Sequence, residues 1–343
     1  MQRQTIETFL NEHKDTPLVD VRSPAEFADG HIPGAVNLPV FSNKERALVG
    51  TTYKQVGKIE AIEEGLEIVG PKMKDLAAKA KQLAKDGELK VYCWRGGMRS
   101  EKMAWLFEIV GLQVKVLEGG YKSYRASIAE HFAQLSNLIV LQGPTGTGKT
   151  KILEALGVQG EQVIDLEGMA HHKGSAFGGL GMPDQPTTQQ FQNDLSALLD
   201  TFDLTRRVWV ESESMSIGKV YLPEHLWQQM NLSRRVALDQ PREWRLDRVV
   251  EEYGDFESEL LISKVEQLEQ RLGNQNVNQV NEYLQSGDIR AAADILLFYY
   301  DKSYAYSAKK YKHSASVEVI LDTPEAAPCA AKLIEFADDQ QWL

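Results

Sequence analysis

Gly143-Pro144-Thr145-Gly146-Thr147-Gly148-Lys149-Thr150 constrains this chain more than any other stretch. It fits G-x-x-x-x-G-K-[ST] and follows the apolar run Leu138-Ile139-Val140-Leu141. A strand, a glycine-rich turn and a helix form the context in which that pattern works. The N–H groups of such a turn point inward around phosphate oxygens, and the following helix adds positive dipole at its N-terminus. Gly143, Thr145, Gly146 and Gly148 then shape the cradle, Lys149 reaches the outer phosphate, and the Thr150 hydroxyl is placed for Mg²⁺. The pattern predicts a di- or triphosphate site and leaves open which phosphate binds and whether it is hydrolysed.

The 343 residues suffice for two domains of ordinary size. Hydrophobic residues at 43% and charged residues at 25% predict a globular, soluble chain. No apolar run is long enough to span a bilayer. The polar start, Met1-Gln2-Arg3-Gln4-Thr5, leads into a helix-like segment and not into a signal peptide, so the expected location is cytoplasmic. Two cysteines, Cys93 and Cys329, exclude a disulfide framework and a cysteine-rich zinc site. The net charge of −11, from 49 acidic and 38 basic residues, argues against a nonspecific nucleic-acid coat. A local basic groove stays open, because screening favours the near field.

Before residue 128 short apolar runs alternate with helical stretches. Strands are expected at Leu18–Val21, Val36–Pro39, Leu89–Tyr92 and Val114–Leu117, with helices at Lys72–Lys85 and Ser100–Val110. The pattern resumes near Leu138, with strands at Val163–Leu166, Arg207–Glu211, Arg234–Leu238 and Val317–Leu321. Trp244–Leu272 reads as helical, and Pro324–Phe336 as a closing helix. Alternating strands and helices predict α/β layering on parallel sheets. Two domains are expected, 1–128 and 129–343, the second with a helical C-terminal part.

Tyr92-Cys93-Trp94-Arg95-Gly96-Gly97-Met98-Arg99-Ser100 lies between a strand and a helix. A cysteine there is placed for reactivity, because loop N–H groups and the helix dipole favour thiolate over thiol. Arg95 and Arg99 add positive charge, and Gly96 and Gly97 supply loop donors, so the loop also suits an oxyanion. The plainer reading is a buried small hydrophobe, which fits Cys329 better.

Asp20-Val21-Arg22-Ser23-Pro24-Ala25-Glu26-Phe27 with Gly30-His31-Ile32-Pro33-Gly34-Ala35 resembles the opening signature of rhodanese domains, and Leu117-Glu118-Gly119-Gly120-Tyr121 their closing motif. The resemblance implies sulfur or selenium carried on Cys93, and a structural His31. The C-x₅-R loop is one residue longer than the usual sulfurtransferase loop and resembles that of rhodanese-related phosphatases, a pointer to a phosphorylated chalcogen donor. The Cys93–Ser100 loop, Asp165–Gly178 and Glu45–Tyr53 together resemble the bacterial tRNA 2-selenouridine synthase family over nearly the whole chain.

That resemblance implies a transferase acting on the wobble 2-thiouridine of certain tRNAs. It implies alkylation of the sulfur by geranyl diphosphate, then replacement by selenium from selenophosphate. Alkylation makes a poor leaving group a good one, and a phosphate loop suits a leaving diphosphate. No tightly bound organic cofactor is expected. Asp165 and Glu167 at one strand end, and Glu211 and Glu213 at another, are candidates for Mg²⁺ or substrate, Asp165 and Glu211 preferred because each directly follows an apolar strand, with solvated strand-end charge an equal alternative. His171 and His172 suit substrate contact or a plain loop role.

Two stretches are candidates for tRNA: Tyr299, Tyr300, Tyr304, Tyr306 and Tyr311 mixed with Lys302, Lys309, Lys310, Lys312 and His313, and the basic group Arg234, Arg235, Arg242, Arg245 and Arg248, the last three on one helix face. Core packing and pairing with Glu243, Glu251 and Glu252 are the alternatives. Three rival functions also fit: a nucleotide-dependent kinase or ATPase with a rhodanese-like module, a C-x₅-R phosphatase, and a noncatalytic chalcogen carrier.

Overall fold

The computed structural model describes residues 1–12, 15–310 and 316–342; for residue 303 and residues 305–310 it describes the backbone only. The chain divides into two compact units, Met1–His131 with Gln192–Ala197, and Phe132–Phe191 with Leu198–Leu343. The expected contiguous division does not include the short return of Gln192–Ala197.

The first unit holds strands β1 (Gln2–Gln4), β2 (Leu18–Asp20), β3 (Val36–Asn37), β4 (Glu88–Tyr92) and β5 (Gln113–Leu117). They form a parallel sheet in the order β1-β5-β4-β2-β3. Helices α1 (Ile6–Asn11), α2 (Pro24–Asp29), α3 (Asn43–Gln55), α4 (Lys58–Val69), α5 (Met73–Leu83), α6 (Met98–Ile109) and α7 (Gly120–Ala133) connect them. The polar start contains β1, an edge strand that sequence reading missed: Gln2–Gln4 lacks an apolar run and is ordered by pairing with Lys115–Leu117. Val19, Val21, Leu89, Val91, Val114 and Val116 pack against Ala77, Ala80, Met103 and Phe107 as one core. Ser23 caps α2 in a box with Glu26, and Pro24 at the first turn fixes the entry angle.

The second unit holds β6 (Leu138–Gln142), β7 (Gln162–Ile164), β8 (Val208–Glu211), β11 (Arg234–Asp239) and β12 (Ser316–Ile320), all parallel in the order β12-β11-β6-β8-β7. A two-stranded hairpin, β9 (Ser216–Ile217) with β10 (Val220–Tyr221), stands apart. Helices α8 (Lys149–Val158), α9 (Leu166–Ala170), α11 (Glu224–Leu232) and α12 (Arg242–Tyr253) follow their strands and loops, and α10 (Thr188–Leu199) is divided, its Gln192–Ala197 falling in the first unit. A cluster of helices then forms from α13 (Ser258–Glu266), α14 (Glu269–Leu272), α15 (Asn274–Gln285) and α16 (Ile289–Lys310), and α17 (Ala326–Asp339) closes the chain. Ile139, Leu141, Trp209 and Val236 pack against Ile152, Leu156, Cys329 and Leu333. The helical cluster has its own core, including Val265, Val280 and Leu284. Among the described residues no helix is long and apolar enough to cross a membrane.

Candidate functional sites

The phosphate loop leaves the carboxyl end of β6, where its backbone is set by contacts and not by freedom. Gly146 sits at φ +81, and a Cβ there would lie 2.6 Å from the Arg245 carbonyl. The Thr147 hydroxyl donates to Pro144 O at 2.7 Å, and Lys149 Nζ donates back to Gly143 O at 3.0 Å. Lys149 thus lies folded over the loop it serves.

Strand register brings the acidic candidates to the same end. Leu141 pairs with Glu211, and Ile164 with Val210, so Asp165 and Glu211 emerge side by side. Glu211 is 2% exposed. Its Oε1 accepts from Glu167 N at 2.7 Å, and its buried Oε2 has no partner. Burial, with the charges of Asp165 and Glu167, holds the Glu211 carboxyl well above the usual carboxylate range. The Thr150 hydroxyl donates to Glu167 Oε2 at 3.2 Å. Burial and the Glu167 charge push Glu213 up to about 8, and the two carboxyls share a hydrogen bond. Asp165 Oδ1 accepts from Gly168 N at 2.8 Å, capping α9. Sequence reading weighed Asp165, Glu167, Glu211 and Glu213 as cation ligands and preferred Asp165 and Glu211; the cavity beside the loop is lined instead by Glu167 and Glu213.

A cavity of about 560 Å³ opens from this loop. One part is lined by Lys149, Thr150, Glu213 and Arg248, and another by Leu261, Leu284, Ile289, Ala292 and Leu296. Tyr253, Tyr300 and Tyr304 also line it. Sequence reading offered Tyr300 and Tyr304 to RNA; α16 instead turns both into this cavity, and Tyr299 packs edge-on to Tyr300. Lys302 lies 4.3 Å over the Phe298 ring. The side chains of Tyr306, Lys309 and Lys310, and all of Tyr311, Lys312 and His313, lie outside what the structure describes.

The arginines of α12 correct another expectation. Arg245 is 6% exposed, donates through Nε to Thr145 O at 2.9 Å and pairs with Asp301. Arg248 donates to Gly146 O at 2.7 Å, Gln240 Oε1 at 2.6 Å and Pro324 O at 2.7 Å. Both brace the phosphate loop, because spacing of three places them on the helix face turned toward it. Arg242 pairs with Asp294. None of these pairs involves the glutamates considered from sequence. His171 Nδ1 lies 2.8 Å from Asp184 O in a loop role, whereas His172 Nδ1 is buried without a partner.

In the first unit, Cys93 follows β4 and is 3% exposed. Its Sγ lies 3.2 Å from Ser100 Oγ, in the first turn of α6, a neighbour that sequence reading did not single out. Gly97 caps α6, and its carbonyl accepts from the Ser100 hydroxyl at 3.0 Å. The closing motif locks the loop: Tyr121 N donates to Cys93 O at 2.8 Å and Lys122 N to Trp94 O at 3.0 Å. Gly120, at φ +60, lies so close that a Cβ would stand 2.3 Å from Cys93 O. Arg95 is exposed. Arg99 pairs with Glu26 at 2.7 Å. Burial pushes the Glu26 carboxyl up, but its bonds with Arg99 outweigh that and lower it overall.

Arg22, buried, pairs with Asp20 at 2.6 Å and lies 4.0 Å over the Tyr121 ring. Asn193, also buried, donates to Tyr121 Oη at 2.7 Å and to His31 O at 2.8 Å. His31 stacks on Phe27, ring centroids 3.8 Å apart, and its Nδ1 lies 3.0 Å from Phe27 O. These groups hold the turns around the loop.

Comparison with known proteins adds independent findings. Residues 5–127 match the rhodanese-like domain, and residues 136–323 the tRNA 2-selenouridine synthase AAA domain. A tRNA 2-selenouridine synthase of Nitrosomonas europaea is 40% identical over 248 residues, covering 70% of this chain and 64% of that protein. Those of Nitrosomonas eutropha and Bdellovibrio bacteriovorus are 33% and 34% identical, each over 96% of this chain and over 84% and 85% of their own lengths. A solved N-terminal domain of a putative ATP/GTP binding protein from Clostridium difficile 630 is 42% identical over 37% of this chain and 98% of its own, at a TM-score of 0.35. A rhodanese-like parallel sheet followed by a P-loop parallel sheet, with synthases similar along nearly its full length, places this chain in the tRNA 2-selenouridine synthase family.

Proposed function

We propose that this protein converts the wobble 2-thiouridine of tRNA to 2-selenouridine in two steps, the first at the phosphate loop and the second at the Cys93 loop. The observation that carries the first step is the cavity of about 560 Å³, which joins the phosphate loop to an aliphatic wall. A diphosphate with an apolar tail matches both parts, and geranyl diphosphate is such a molecule. A nucleotide would place a polar base and ribose against Leu261, Leu284 and Leu296, at a desolvation cost.

In this reading the tRNA sulfur attacks C1 of the geranyl group. The S–C1 bond forms, the C1–O bond breaks, and the uridine loses its N3 proton. Loop N–H groups and Lys149 Nζ hold the leaving diphosphate as its charge develops. Thr150, Glu167 and Glu213 line the cavity and carry oxygen donors of the kind a hard divalent cation takes, although among the described residues no group of three acidic or histidine side chains is assembled around one point. Mg²⁺ bound there would neutralise part of the leaving charge.

For the second step, the Cys93 loop positions selenophosphate, with Arg95, Arg99 and the amides of Gly96 and Gly97 facing the phosphate. Selenium attacks C2 and geranylthiol leaves; water then cleaves the Se–P bond, releasing phosphate. No oxidant is needed. Ser100 Oγ, 3.2 Å from Cys93 Sγ, would stabilise a negative sulfur by turning its hydroxyl proton from Gly97 O to the sulfur. Purified protein given thiolated tRNA and geranyl diphosphate tests the first step. A Lys149→Ala variant should lose about 100- to 1,000-fold in rate; undiminished geranylation removes the assignment.

A further inference from the structure

The prenyl-diphosphate reading of the phosphate-loop cavity has a consequence for tail length, written in α16. Ile289, Ala292, Ala293, Leu296, Tyr300 and Tyr304 line the cavity. Their spacing of three and four makes one stripe along the helix. The stripe has a polar end and an apolar end. Arg245 grips Thr145 O of the phosphate loop and also pairs with Asp301, which ties that part of α16 to the phosphate end. Tyr300 and Tyr304 flank Asp301. In the other direction, Ala292 lies nine positions before Asp301 in the helix, or about 14 Å along the axis. There the wall consists of Leu261 from α13, Leu284 from α15 and Ile289.

Ala292 is buried and belongs to the same apolar cluster as Leu261 and Leu284. With Ala293 it carries the smallest side chain in this part of the lining. Replacing its methyl by a larger group pushes atoms into the cavity, because the leucines behind it are already packed. We infer that Ala292, against Leu261 and Leu284, gauges the length of the apolar tail and makes the site selective for a two-isoprene diphosphate.

This rests on the prenyl-diphosphate reading, and the test separates the two. Transfer to thiolated tRNA is measured with dimethylallyl, geranyl and farnesyl diphosphates as competing donors. Wild type should prefer geranyl. Ala292→Phe should lower the geranyl-to-dimethylallyl ratio of kcat/KM at least tenfold. Leu284→Ala should raise the farnesyl-to-geranyl ratio at least tenfold, and it decides the matter if Ala292→Phe does not fold. Ratios within twofold of wild type in every folded variant overturn the gauge and leave the prenyl reading standing. A wild type that transfers none of the three prenyl groups and binds only nucleoside triphosphates overturns both.

Discussion

Single residues set the chemistry here through contacts that only certain side chains permit. Gly120 is the clearest case. Its φ of +60 and a Cβ position 2.3 Å from Cys93 O leave no room for alanine. Gly120→Ala should cost about 2 kcal/mol or more in urea unfolding and should abolish selenium transfer by displacing the Cys93 loop. The Arg99–Glu26 pair makes a second test. The Glu26 carboxyl is held below its ordinary value in the folded protein, so its stabilising contribution is full above that value. It is lost as pH falls through the lower, folded value. Wild type should therefore lose stability on acidification below about pH 4.5, and Glu26→Gln should lose less over the same range. Equal acid sensitivity would show that the pair contributes nothing.

At the scale of elements, α12 is a brace: Arg245 and Arg248 are committed to the phosphate loop, and Arg242 to Asp294. Spacing alone did place Arg242, Arg245 and Arg248 on one face, as sequence reading held. What the face meets depends on chain folding: it meets the carbonyls of Thr145 and Gly146 and the carboxylate of Asp301. Arg245→Leu should weaken inorganic diphosphate binding severalfold, because it frees one side of the loop and leaves Asp301 without its partner. The salt dependence of tRNA binding should not change. A shallower salt slope would return Arg245 to the RNA surface. The tyrosines of α16 teach the same lesson. Aromatic residues with nearby lysines look alike in sequence whether they stack on bases or line a cavity, and Tyr300 and Tyr304 line one.

For the whole molecule, the legible parts were those with local signatures. The phosphate loop, the Cys93 loop and most strands of both sheets carry runs or motifs within a few residues, and their parallel order follows from alternation with helices. Strand ends shifted by a residue or so; Asp165 became the cap of α9, where a longer strand was expected. What stayed hidden is assembled across distance. β1 is a strand only because β5 pairs with it, Glu167 and Glu213 reach Lys149 and Thr150 through loop folding, and the aliphatic cavity draws on α13, α15 and α16 at once. No single segment of sequence displays such a cavity, although it carries the argument for the first reaction.

The central claim is a division of labour between two anion-binding loops, and separated variants test it most directly. Lys149→Ala and Cys93→Ala would each be assayed twice by mass spectrometry of the wobble nucleoside: thiolated tRNA with geranyl diphosphate, and pre-geranylated tRNA with selenophosphate. Lys149→Ala should fail the first assay and pass the second, and Cys93→Ala should do the reverse. If each variant loses both activities while remaining folded, or neither loses any, the two loops do not divide the reaction in this way.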